Sequence, residues 1–375
     1  MTTAVGSDLA ELPPRAPGLP SVVLALVERG APDDDVSYVG ALLERALTEL
    51  ASQFRTISVF PDQEGGADAT LVQRGVFAAR LISAGRRADC ILYNHLGVAT
   101  AQASLPAKLR RPYAVLVHGA ESWDEGIDAA RQRALSDAAM RIASSAYAAR
   151  RVAEAHPAIP PAEVLPRALM PERDTSPVDG ALVGSMTART IVIAGRMSVA
   201  ERFRGHDELL EAWPAILARR PDARLAIVGG GDDAKRLEGK ATALGLAGSV
   251  RFAGIVSEST LDAMLGKAGG FALPSRAEGF SLAYLRAMRA AIPCIAGDDD
   301  AAREVVEDGV TGMLVPAADR DALAQAVISL LGDTVRRRDM GEAGRERFEQ
   351  RYTFGNFRDR LDAMLRRGFP ARAHN

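Results

Sequence analysis

Residues Leu225-Ala226-Ile227-Val228-Gly229-Gly230-Gly231-Asp232-Asp233 decide how this chain is read. Four apolar residues run straight into three glycines and two acids. An unbroken apolar run suits a strand covered on both faces, because a strand with one wet face alternates. Glycines at its end let another backbone, or a ligand, approach closely. Such a turn is weak evidence of a ligand by itself, since many strand–helix turns hold none. What gives it weight is recurrence. Outward from it, strand-like runs at Thr190–Ala194, Val250–Ala253, Gly270–Leu273 and Pro293–Ala296 alternate with helical patterns at Asp207–Ala218, Ala234–Leu244, Thr260–Leu265 and Ser281–Ala290. The first half repeats the theme. Val22–Val27, Thr56–Phe60, Cys90–Asn94, Tyr113–Val117 and Met140–Ala143 alternate with Tyr38–Leu50, Ala69–Ala84 and Ala146–Ala155. The alternation predicts an α/β protein of two doubly wound, Rossmann-like domains.

Length agrees, since 375 residues at about 150 per domain suggest two domains. A β/α barrel also fits the length, but the polar stretch 171–188, with Pro171 and Pro177, reads as a linker and argues against it. The expected organisation is a tail over 1–20, an N-terminal domain over 21–170, the linker, and a second domain over 189–353. Residues 354–375 are expected as a helix returning to the first domain, then a tail.

Composition excludes several classes. At 47% hydrophobic and 25% charged the chain is neither disordered nor fibrous. A net charge of −2 gives no bulk attraction for nucleic acid. Cys90 and Cys294 sit in apolar runs outside any metal-spaced cluster, which suits a reducing compartment. No apolar run approaches the ~20 residues of a bilayer span, and the N-terminus lacks a secretory pattern. A cytoplasmic protein is the expectation. The five histidines do not cluster. The acidic triplets Asp33–Asp35 and Asp298–Asp300 would suit a divalent cation, yet the second precedes a helix pattern, where capping is explanation enough. Neither metal nor cofactor is expected. Arg74, Arg80, Arg86 and Arg87 interleave with Leu71, Val72, Val76, Phe77, Leu81 and Ile82, and Lys108, Arg110 and Arg111 form a second basic cluster. A solvated helix face and peripheral docking on an anionic inner membrane face both fit this pattern.

Four segments of the second half carry the chemistry. Gly195-Arg196-Met197-Ser198, followed by Glu201 to Asp207, places Arg196 and Arg204 in a strand–helix loop, a setting for a phosphate ligand. An ordinary surface loop with arginines reads equally well. The glycine turn at Gly229 and Gly230 is the second segment, and Gly254-Ile255-Val256 the third, at the same presumed sheet edge. The fourth runs Leu273-Pro274-Ser275-Arg276-Ala277-Glu278-Gly279-Phe280-Ser281-Leu282-Ala283-Tyr284-Leu285-Arg286-Ala287-Met288.

Together with Pro293-Cys294-Ile295-Ala296, Glu304 to Val315 and Met340-Gly341, these segments resemble the retaining family-4 glycosyltransferases of GT-B fold. The likeness is close from Thr190 to Arg360. It is weaker over Ser21–Pro166, where His118-Gly119, Ile142-Ala143-Ser144-Ser145 and Val164-Leu165-Pro166 anchor it. The resemblance implies two domains facing each other across a cleft, a nucleotide-diphosphate sugar bound by the second and a glycan or lipid-linked acceptor by the first. It implies sugar transfer with retention, in polysaccharide or envelope glycan assembly, without a metal. It assigns Arg196 and Arg204 to the diphosphate, Gly254, Ile255 and Val256 to the base, and Glu278 with the backbone of Gly279, Phe280, Ser281 and Leu282 to the sugar and phosphates. His118 falls at the acceptor side.

The chain departs from that family in one telling place. The family signature is two glutamates eight positions apart, and here Glu278 is followed by Arg286. The second glutamate accepts ribose hydroxyls, which a guanidinium cannot do, being donor-only and always charged. Arg303 and Arg167 replace a small residue and an asparagine, and Gly30-Ala31-Pro32-Asp33-Asp34-Asp35 replaces a glycine pair. Three readings stand: an active enzyme holding ribose another way, one with an atypical donor contacted by Arg286, and a catalytically weak partner or nucleotide-binding module. An ion pair from Arg286 to a neighbour such as Glu304 is the plainest account of the arginine.

Overall fold

A computed structural model describes residues 19–28, 35–50, 53–60, 71–103, 105–119, 122–123, 127–316 and 318–370. The expected N-terminal tail up to residue 18, and residues 30–34 of the altered loop, lie outside the described residues. The chain divides into two compact units. One takes the residues up to Ser144, Ala148–Pro166 and everything from Phe357 onward; the other takes Ser145–Tyr147 and Arg167–Asn356.

The first unit is built on six parallel strands: β1 (Val22–Glu28), β2 (Phe54–Phe60), β3 (Cys90–Tyr93), β4 (Tyr113–Val117), β5 (Met140–Ala143) and β6 (Glu163–Val164). They lie in the order β2-β1-β3-β4-β5-β6. Every residue from Val22 to Leu26 is buried, because β1 pairs on both edges, with β2 and β3, and is covered on both faces. That is why its sequence is a continuous apolar run rather than an alternation. Helix Phe354–Gly368 buries Phe357, Leu361, Met364 and Leu365, a single stripe at helical spacing. Within this unit it is pinned by Arg358 on Glu49 at 2.9 Å and by Arg367 on Glu163.

The second unit holds β7 (Thr190–Ala194), β8 (Arg224–Val228), β9 (Val250–Gly254), β10 (Gly270–Leu273), β11 (Cys294–Gly297) and β12 (Gly312–Val315). The order is β12-β11-β10-β7-β8-β9, all parallel. Strands β7 to β9 step outward one way and β10 to β12 the other, so the order reverses between β7 and β10. Ligands of open α/β sheets bind beyond the C-terminal strand ends at such a reversal. The fold is GT-B: two doubly wound parallel sheets, each clothed in helices.

One expectation about chain organisation meets a different structure. The stretch 171–188 contains helix Gly180–Gly184, capped by Asp179, which accepts from the backbone N–H groups of Ala181 and Leu182. Leu182, Val183 and Met186 belong to the second unit's core. The backbone N–H of Asp179 donates to Thr260 on helix Glu258–Leu265 at 3.1 Å. Composition is polar here because only three side chains are needed to anchor the segment to its neighbour.

Helix Thr334–Arg351 crosses the turn after β10's helix at very short range. A Cβ on Gly341 would lie 2.0 Å from the carbonyl oxygen of Ala291, which is itself left-handed at φ 56°. Backbone cannot give way as a side-chain tip can. Gly341→Ala is therefore expected to destabilise the protein by about 1–3 kcal/mol through overpacking. The loss should appear as a lowered urea midpoint for the second unit.

Candidate active site

The candidate site lies at the C-terminal ends of β7 and β10, and backbone contacts shape it before any side chain does. The loop after β7 is laced to the glycine turn after β8. Met197 N–H donates to Gly230 O at 2.8 Å and Asp233 N–H to Met197 O at 3.0 Å. Gly229 (φ 131°) and Gly231 (φ 146°) permit this, since a Cβ there would stand 2.1 Å from Gly195 O and 2.0 Å from Met197 O. Gly229 N–H continues the ladder to Gly254 O at 2.8 Å. So Gly229, Gly230 and Gly254 share one edge with Arg196, and the triplet has a packing reason of its own. Ile255 projects from that edge, 85% exposed.

Gly205 performs the second close approach. At φ 88° its Cβ would meet the carbonyl oxygen of Pro274 at 2.6 Å. Arg276 N–H donates to Phe203 O at 3.0 Å beside it. This contact carries Arg204 to the exit of β10, where its Nη1 donates to Glu278 Oε2 at 2.7 Å. Its Nε donates to Glu201 Oε2 at 2.9 Å. The half-exposed Arg196 reaches the same Glu201 oxygen at 3.8 Å. Two arginines and two carboxylates thus form one cluster, and Glu201, which motif reading passed over, is its bridge. Its signal was available: Glu201 lies three residues before Arg204, the spacing of one helical turn.

Glu278 is buried and its segment is held from behind by Asp300. One Asp300 oxygen accepts from Ser275 Oγ at 2.6 Å and from Glu278 N–H at 3.0 Å, and the other from Ala302 N–H at 2.9 Å. Burial raises its pKa while those three donors oppose the rise. Asp300 is therefore committed mainly to the Glu278 loop; the helix that follows has Ala301 at its N-cap, without a side-chain cap bond. No group of three metal-ligating side chains occurs among the described residues. Beyond Glu278, Gly279 O accepts from Ser145 Oγ at 2.8 Å and Phe280 O from Arg167 Nη1 at 3.2 Å. Ser281 caps the helix Leu282–Arg289, whose first-turn N–H groups open onto the same strand ends.

Arg286 lies on that helix but does not pair with Glu304. It pairs with Glu258, and its Nη1 lies 3.3 Å from Asp262 Oδ1. Glu304 is taken by the backbone N–H groups of Ala146 and Tyr147, at 2.8 and 2.6 Å. The reason is positional: the buried face of helix Leu282–Arg289 that carries Arg286 meets helix Glu258–Leu265.

In the first unit, His118 follows β4 with its Nε2 2.6 Å from Asn94 O, its ring stacked on His95 at 6.0 Å. It belongs to a different unit from Glu278. Cys90 and Cys294 are fully buried, and burial pushes both thiols up, so neither is a nucleophile at neutral pH.

Residues 183–347 match the model of the glycosyl transferases group 1. The chain is 34% identical over 233 residues to a GDP-mannose-dependent monoacylated alpha-(1-6)-phosphatidylinositol monomannoside mannosyltransferase of Corynebacterium glutamicum, covering 59% of this chain and 60% of that one. It is 40% identical over 149 residues to a GDP-mannose-dependent alpha-(1-6)-phosphatidylinositol monomannoside mannosyltransferase of Mycolicibacterium smegmatis, covering 38% and 39%. The chain thus spans less than two thirds of these relatives' lengths. Among solved structures, a glycosyltransferase of Rickettsia africae superposes with a TM-score of 0.72 at 14% identity, covering 93% of this chain and 98% of that one. HepE of Anabaena with UDP-glucose gives 0.71 at 17% identity, covering 92% and 99%.

The loop that carries Arg204 makes stability depend on pH. His206 is buried, its Nε2 finds no hydrogen-bond partner among the described residues, and burial, then the nearby Arg204 charge, lowers its pKa to about 4. Next to it, Asp207 is held at about 2 by hydrogen bonds from Arg236 and Lys240. As pH falls from 6.5 towards 4 the unfolded chain protonates its histidine and the folded one does not, so stability falls, by up to about 1.4 kcal/mol per pH unit for that group. Below about 4 the Asp207 contribution is lost in turn. His206→Gln should flatten the upper part of this slope in urea titrations at pH 7 and pH 5, leaving the lower part.

Proposed function

We propose that the protein is a retaining glycosyltransferase that needs no metal and moves a hexose from a nucleoside diphosphate donor to a glycan or lipid-linked acceptor. GDP-mannose is the donor and a phosphatidylinositol mannoside-like glycolipid the acceptor class that its relatives' names suggest, with envelope glycan assembly as the setting. The observation that carries this reading is the contact of Arg204 with Glu278 at 2.7 Å, beside a helix N-terminus where the sheet order reverses. A diphosphate arriving there meets two guanidinium groups and first-turn N–H donors, the usual constituents of a phosphate site. Glu278, freed from Arg204 by that anion, is left to accept from sugar hydroxyls.

In this reading the acceptor oxygen forms its bond to the anomeric carbon as the carbon–oxygen bond to the diphosphate breaks. The bonding pair leaves with the diphosphate, and Arg196 and Arg204 stabilise the charge that builds there. The acceptor proton passes to a phosphate oxygen of the departing group on the same face, which accounts for retention. His118, with Nε2 engaged by a backbone carbonyl, is assigned to the acceptor side. No cofactor takes part.

Calorimetric titration with GDP, UDP and ADP, followed by turnover of GDP-mannose on glycolipid vesicles, tests the reading. GDP is expected to bind, and Arg204→Ala or Arg196→Ala to weaken it by at least about tenfold, from the roughly 1.5–3 kcal/mol of a charge-assisted hydrogen bond. Unchanged affinity in both variants would place the phosphates elsewhere. GDP binding without turnover of any sugar nucleotide would favour the non-catalytic module, the reading that Arg286 keeps in play.

Peripheral membrane association is part of the proposal. Helix Leu71–Gly85 exposes Val72 at 75% and Val76 at 48%, with Arg74 and Arg80 on it and Arg86 just beyond. No helix among the described residues is long and apolar enough to cross a membrane. Vesicles containing phosphatidylinositol should bind the protein. Arg80→Ala with Arg86→Ala should weaken that binding about 30-fold at low salt, from about 1 kcal/mol per basic residue. Equal sedimentation of parent and variant would mark the helix as an ordinary wet face.

A further inference from the structure

Arg286 occupies the position where a ribose-accepting glutamate is expected, so a working donor site must find that acceptor elsewhere. Arg286 is 7% exposed and its guanidinium lies against helix Glu258–Leu265, where it pairs with Glu258 and Asp262, while Arg289 also holds Asp262. Asp262 is shared between two arginines; among the described residues Glu258 meets Arg286, through one oxygen, and its side chain is 49% exposed. A carboxylate offers about four acceptor positions, so most of its capacity faces outward.

Its place in the chain matters as much. Glu258 follows Gly254-Ile255-Val256 by two residues, and its partner Arg286 stands on the helix that opens after Glu278 and Gly279. The first segment is the one assigned to the base, the second the one assigned to the phosphates. In any nucleoside diphosphate the ribose is covalently between those two parts, and the Glu258–Arg286 contact joins the two elements that would hold them.

We propose that Glu258 is the ribose-binding carboxylate of this chain, accepting hydrogen bonds from the 2′ and 3′ hydroxyls, and that Arg286 is the positioning residue that holds it. The proposal rests on the donor site described under Proposed function and deepens it: the acceptor has moved from one helix to the next, and the arginine left behind tethers it. Arg286→Glu would gather three carboxylates, Glu258, Asp262 and the new one, at this contact and remove the cation between them.

The test is titration of the parent protein, Glu258→Ala and Asp262→Ala with GDP and with 2′,3′-dideoxy-GDP, with circular dichroism confirming that each variant is folded. The parent should prefer GDP by at least about tenfold, the scale of a charge-assisted hydrogen bond. Glu258→Ala should lose that preference, weakening GDP about tenfold while leaving the dideoxy form unchanged. Asp262→Ala, which also removes a partner of Arg286, should keep most of the preference. Retention of the parental ratio in Glu258→Ala would overturn the proposal and leave the donor reading standing, as would equal weakening of both nucleotides, which would place Glu258 at the base. Failure of the parent to bind any nucleoside diphosphate would overturn the donor reading and this proposal together.

Discussion

Everything at the candidate site depends on backbone meeting backbone where no side chain fits. Gly205 sits over the carbonyl of Pro274, Gly229 over that of Gly195, Gly231 over that of Met197, and Gly297 over that of Ser275, each closer than a Cβ allows. Three of the four have φ values that L-residues avoid. The glycine at 205 is the pivotal one, since it lets the loop after β7 press on the exit of β10 and delivers Arg204 to Glu278. Glycine carries an entropic penalty on folding, and the apolar strands on which these turns are mounted supply the compensating burial.

The side chains laid over that frame are neutralised by one another. Arg204 is shared by Glu201 and Glu278, Asp233 by Arg202 and Arg236, and Asp207 by Arg236 and Lys240. A buried or half-buried guanidinium left without a partner would be strongly destabilising, so the free protein satisfies its cations internally. An anionic ligand at Arg204 would then exchange with carboxylates rather than fill an empty space. Binding free energy there is the difference between two sets of charge-assisted contacts. The same logic accounts for Arg286: a buried arginine in a site that customarily holds an acid has drawn two acids to itself from the adjacent helix.

Much of the fold was legible in the sequence. β4, β5, β7 and β10 occupy the residues their runs marked, because a parallel strand buried on both faces is apolar over most of its length. The segment 171–188 was less legible. Its three core residues are scattered among polar ones, and whether Leu182, Val183 and Met186 are buried depends on a helix eighty residues further along.

At the site, the sequence by itself determined which chemical groups are present and which strand ends carry them: two arginines after β7, Glu278 after β10, glycines at the turns, and an arginine in place of an acid at 286. These follow from local spacing and residue type. Only the tertiary structure decided who touches whom. That Glu201 bridges the two arginines, that Asp300 holds the Glu278 segment by three hydrogen bonds, that Glu304 serves a helix N-terminus and that Arg286 reaches Glu258 instead are all contacts between separate elements. Periodicity reports which face of an element is buried. It carries no information about which charged neighbour that face will meet, because that is set by how helices pack across a sheet.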